Sequence, residues 1–175
     1  MKRKRFWTGV LLGLLTSLPV ILLFYLGRQL AGLPFVPLDL FDFLARTLPR
    51  LLVLLGIAQL MQGDVTTPNL AALRDALQPI IALLQLWVIG GLGGGILVVL
   101  GRRDRERWLP VFGLGFGVVL SAILVVVERT VGFPEAGPLA SIVWISALSL
   151  GWGVVLGWLV KETLFGEPRT TEGLL

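Results

Sequence analysis

Apolar tracts separated by short charged or Pro/Gly-rich breaks run the length of this chain. Four of them, over residues 6–26, 79–100, 109–127 and 139–160, are long enough to cross a bilayer core of about 30 Å at about 1.5 Å per residue. A fifth, Leu51–Met61, is shorter: 11 residues separate Arg50 from Gln62, which covers roughly half of that thickness. The pattern predicts a short apolar helix over 48–62. It is either a re-entrant or interfacial element or, if Arg50 snorkels, a fifth, tilted span. Asn69–Gln78 places Leu70, Leu73 and Leu77 on one side and Arg74 and Asp75 on the other. With Thr67-Pro68 as N-cap and first-turn proline, this predicts an interfacial helix over 68–78. Pro79 then enters the next span.

The breaks carry the punctuation. Gly27–Leu38 holds two glycines and two prolines and reads as extended loop, with a helix starting at Asp39, where a capping acid is followed by Asp42. Pro19 predicts a kink in the first span. Val131–Pro138 is a tight loop. The expected architecture is an all-α polytopic membrane bundle: four full transmembrane helices plus one short re-entrant, interfacial or fifth spanning helix. It forms a single integral-membrane domain over 1–165, with a polar tail over 166–175.

Charge changes the picture by assigning sides. Gly101–Trp108 holds six charged residues in eight, Arg102, Arg103, Asp104, Arg105, Glu106 and Arg107. Such a cluster belongs in a loop, because a charge at mid-bilayer costs about 2.5–3.5 kcal/mol. With Leu51–Met61 not crossing, the side of the N-terminus carries ten basic residues (Lys2, Arg3, Lys4, Arg5, Arg102, Arg103, Arg105, Arg107, Lys161 and Arg169). The other side carries five (Arg28, Arg46, Arg50, Arg74 and Arg129). With five spans the count inverts to six against nine. The positive-inside rule therefore favours four spans with both termini cytoplasmic, in a cell membrane of the bacterial inner-membrane kind. Glu128, at a span end, reads as solvated.

Composition agrees with a membrane chain: 55% of 175 residues are hydrophobic and 15% are charged, against about 25% charged in soluble domains. The chain has no histidine and no cysteine. This excludes thiolate metal sites, disulfides, bis-histidine haem and His-containing triads, so no catalytic, cofactor-binding or metal-binding residue is assigned and no cofactor is expected. The net charge of +4 is accounted for by residues flanking the spans. No basic helix or aromatic platform outside them points to nucleic acid.

Small residues recur every four positions in the spans: Gly9, Gly13 and Ser17; Gly90 and Gly94; Gly113, Gly117 and Ser121; Ser149, Gly153 and Gly157. This spacing lets helix backbones approach closely, so these positions are the expected packing faces, one of which could serve a partner. The run Gly90–Gly95 lacks the Lys-Ser/Thr of a phosphate loop. It is either a packing surface or a partly unwound stretch of the kind that forms transporter sites. Gln85 is the strongest polar side chain inside a span. Trp7, Trp108, Trp144 and Trp158 fit an interfacial belt, and Trp152, the deepest, is expected against lipid or a partner.

The stretch Pro34-Phe35-Val36-Pro37-Leu38-Asp39-Leu40-Phe41-Asp42-Phe43-Leu44-Ala45-Arg46-Thr47-Leu48-Pro49, with the apolar segments around it, resembles the N-terminal membrane region of bacterial molybdopterin-dependent, sulfite-oxidase-like oxidoreductases. The catalytic domain of that family, with its cysteine molybdenum ligand, has no counterpart here, so no catalytic residue carries over. The resemblance implies a non-catalytic anchor or scaffold for a redox enzyme, the enzyme being truncated at the tail or encoded separately. A small passive transporter or channel is the alternative. The expected partners are the lipid bilayer and a redox-enzyme or membrane-complex subunit.

Overall fold

A computed structural model describes residues 2–47, 68–101, 106–131 and 136–166. They form five α-helices: α1 (Lys2–Ala31), α2 (Val36–Thr47), α3 (Pro68–Leu100), α4 (Leu109–Val131) and α5 (Pro138–Leu164). A single 3₁₀ turn, Glu106–Trp108, leads into α4. There is no strand among the described residues. Four helical segments are long and apolar enough to cross a membrane: Lys4–Ala31, Gln78–Leu100, Glu106–Val131 and Pro138–Leu164. The fold is thus an all-α, multi-pass helical bundle. The expected short helix at 48–62 and the loop arginines Arg102, Arg103 and Arg105 lie outside the described residues.

Several boundaries differ from the sequence reading. The interfacial helix expected over 68–78 and the span expected from 79 are one continuous helix, α3, with Pro79 inside it. A proline removes one backbone donor, and a membrane helix packed against neighbours tolerates that loss. Pro19 likewise lies within an unbroken α1. Residues 27–31, expected in a loop, extend α1. The helix ends where Gly32 takes φ 61° and donates its N–H to the Arg28 carbonyl at 3.2 Å. This is a left-handed C-terminal cap, with Pro34 close behind to prevent continuation. Helix α2 starts at Val36, three residues before Asp39, because Pro37 suits a first helical turn.

Helices α1 and α3 pack antiparallel as one pair, and α4 and α5 as another. The pairs meet where α1 touches α5. Beyond them α2 folds back onto α3 and α4, burying Val36, Pro37, Leu40 and Phe41. One end of the bundle gathers the start of α1, the end of α3, the start of α4 and the end of α5. There the Arg5 guanidinium stands 5.6 Å from the Phe165 ring centre, and a methyl group added at Gly101 would lie 2.9 Å from Leu109. The opposite end gathers the end of α1, α2, the span-entry part of α3 and the end of α4. Gln78 Nε2 donates there to Asp42 Oδ1 at 3.4 Å. The end of α1 and the start of the span of α3 therefore lie at the same end of the bundle.

Candidate functional site

Two features are built into the bundle: a glycine-lined waist and a carboxyl pair, Glu128 buried and Asp39 half-buried beside it.

In the waist, helices meet backbone to backbone. A Cβ added at Gly9 would stand 2.7 Å from the Gly94 carbonyl oxygen, and one at Gly13 would run into the Gly90 carbonyl. Ser17 closes the same seam, fully buried beneath Gly90, with its hydroxyl donating to the Leu14 carbonyl at 2.7 Å. In the other pair, Gly113 faces Gly153, and Gly157 lies against the Leu109 backbone. A Cβ at Gly117 would stand 2.6 Å from the Ser149 carbonyl oxygen. Ser121 Oγ donates to Ser146 Oγ at 3.0 Å. Small residues allow this approach, and dispersion between the backbones holds it.

The remaining glycines of α3 receive side chains instead: Gly91 takes Leu14, Gly93 takes Phe116 and Gly95 takes Phe6. The run Gly90–Gly95 is helical throughout. It is not unwound, because the neighbouring helices occupy its surface.

Two tryptophans tie the waist together. Trp152, expected against lipid or a partner, is 4% exposed. Its indole donates to Thr16 Oγ1 of α1 at 3.1 Å, which joins the two pairs, and its ring meets Phe116 of α4 edge-on within its own pair. Trp87 Nε1 donates to the Leu14 carbonyl at 2.8 Å. Gln85 leaves its buried Oε1 without a donor among the described residues, as do Ser149 Oγ and Trp144 Nε1 without partners.

The carboxyl pair lies at the α2 end. Glu128, expected to be solvated, is 3% exposed. It is covered because α2 folds back over the last turns of α4, bringing together residues nearly ninety positions apart. Asp39, in the first turn of α2, lies beside Glu128, close enough for the two carboxyls to act on each other. Neither Glu128 oxygen has a hydrogen-bond partner among the described residues. Burial raises the Asp39 pKa from its ordinary 3.8, and nearby Asp42 adds to the rise, while contact with Glu128 and the Arg28 charge oppose it. No signal local to residue 128 marks this burial.

No protein-family model matches the chain, and neither does any curated protein or solved structure.

Proposed function

We propose that this chain is a non-catalytic membrane anchor or scaffold subunit. The observation that carries the reading is the closure of both helix pairs through direct backbone contact at Gly9, Gly13, Gly90 and Gly94 and at Gly113, Gly117, Gly153 and Gly157. Such contact fills the waist with helix against helix. An unbroken α3 through Gly90–Gly95 removes the irregular backbone that transporter sites use. What remains is a stiff, lipid-facing body able to hold another protein at a membrane.

The orientation we propose follows from charge. At the α1 start, the helical segments carry Lys2, Arg3, Lys4, Arg5, Arg107 and Lys161 against Glu106 and Glu162. At the α2 end, Arg28, Arg46, Arg74 and Arg129 stand against Asp39, Asp42, Asp75 and Glu128. The first end, with its excess of basic residues, is then cytoplasmic in a bacterial inner membrane. The Pro34–Pro49 resemblance supports a molybdopterin-type oxidoreductase as the anchored partner. Purification from native membranes under mild detergent tests this reading. Near-stoichiometric molybdenum in the complex is expected, and a homogeneous preparation without it contradicts that partner.

A passive channel is the second reading, and the donorless Oε1 of Gln85 favours it. Solute flux into vesicles containing the pure protein, abolished by Gln85→Leu, would select the channel. Vesicles as tight as protein-free ones would select the anchor.

A further inference from the structure

The Asp39–Glu128 pair is not used by an anchor, and it stands where the short helix α2 packs on the end of the bundle. Asp39 belongs to α2, a 12-residue helix attached over the end of the bundle. Glu128 belongs to α4, which the glycine seam fixes against α5. Two ionised carboxylates have no donor between them and repel each other. Glu128 is sealed from water and has no donor among the described residues, so the contact is stable only when a cation or a proton lies in it. A proton shared between the two carboxyls supplies the missing donor and removes one of the two like charges.

We propose that Asp39 and Glu128 form a one-proton latch that holds α2 against the end of the bundle and releases it when both carboxyls ionise.

The surroundings permit this. Arg28 on α1 and Arg129 on α4 are exposed and act on the pair through charge alone. Asp42 on α2 adds negative charge and is itself engaged by Gln78 of α3. Helix α3 also carries Arg74 and Asp75 in its first turns, and α2 carries Arg46 near its end. Helix α5 has no charged residue from Pro138 to Val160. Ionising both carboxyls places two like charges in contact, so the latch holds at low pH and is lost as pH rises. The Asp39 carboxyl, raised by burial against an opposing effect of Glu128, moves in the same direction on balance.

Amide hydrogen exchange on the full chain in lipid nanodiscs tests the latch between about pH 5 and 9, with rates corrected for the intrinsic effect of pH. Exchange over Val36–Thr47 should accelerate relative to Pro138–Leu164, about tenfold for each pH unit by which the latched proton is held above a free carboxyl. Asp39→Asn places a permanent amide donor beside Glu128 and should abolish the acceleration. If that variant does not fold, Glu128→Gln supplies the donor from the other side. Protection of α2 in the natural protein that is independent of pH overturns the proposal, as does an undiminished pH response in either amide variant.

Discussion

At Gly113 two helix backbones touch with no side chain between them, whereas fifteen residues along the same helix Glu128 is buried among atoms that offer it no donor. The waist is closed by groups whose hydrogen bonds are already satisfied within each helix, so close approach costs nothing in polarity. The α2 end adds to its apolar contacts, Val36, Leu40 and Phe41, a carboxyl pair that needs a shared proton. The waist therefore has no titratable group in its seam, whereas the α2 end has one that responds to pH. A bundle assembled this way keeps its body fixed while one terminal element responds to its surroundings.

The largest effect expected from disturbing this contrast is at the waist. Gly117→Leu forces a side chain onto the Ser149 backbone and should destabilise the bundle by about 1–3 kcal/mol, read as a lowered thermal midpoint in detergent. Gly115→Leu, two residues away, is the control. A Cβ at Gly115 meets nothing within 4 Å, so its midpoint should hardly move. Equal losses at both would mean that the seam is not where α4 and α5 meet.

At the other end the sign reverses. Glu128→Gln supplies the missing donor to Asp39 and should stabilise α2 by about 1.5–3 kcal/mol at alkaline pH, in the range for hydrogen bonds to charged groups. The gain should shrink as pH falls, because protonation gives the natural pair its own donor. Urea titrations of the two proteins at several pH values check this, and a pH-independent difference would argue against proton sharing.

The link between the helix pairs comes next. Trp152→Phe keeps the ring against Phe116 and removes the indole donor to Thr16, with an expected loss of about 1 kcal/mol measured by thermal unfolding. The smallest effect belongs to the lipid-facing surface. Gly151 has nothing within 4 Å of an added Cβ, so Gly151→Ala should raise stability by about 0.5–1 kcal/mol through backbone entropy alone.

These sites also divide by how visible they are in the sequence. The four spans are legible because about twenty apolar residues in a row have few other places to go. The four-residue spacing of Gly9 with Gly13 and of Gly153 with Gly157 identifies packing faces, because spacing is a local property of a helix. Which face meets which is not local: nothing around Gly13 specifies Gly90 over Gly153. The continuity of α3 through Pro79 is equally hidden, since a proline inside a helix and one at its start look the same along the chain. Glu128 is the clearest case. Its neighbours in sequence, Val127 and Arg129, describe a span end entering water, and only the return of α2 from residue 36 onward covers it.

The pairing of α1 with α3 and of α4 with α5 underlies both the rigid waist and the fixed post to which α2 is latched. The natural absence of cysteine allows a direct test by oxidative cross-linking in membranes. A Cβ at Gly91 lies 3.2 Å from Leu14 Cγ, and the Ser121 and Ser146 hydroxyls are 3.0 Å apart, both within reach of disulfide geometry. The double variants Leu14→Cys/Gly91→Cys and Ser121→Cys/Ser146→Cys should each form an intramolecular disulfide. The crossed combinations Leu14→Cys/Ser121→Cys and Gly91→Cys/Ser146→Cys should remain reduced. Linkage in a crossed combination, or its absence in both native ones, would contradict the two-pair bundle.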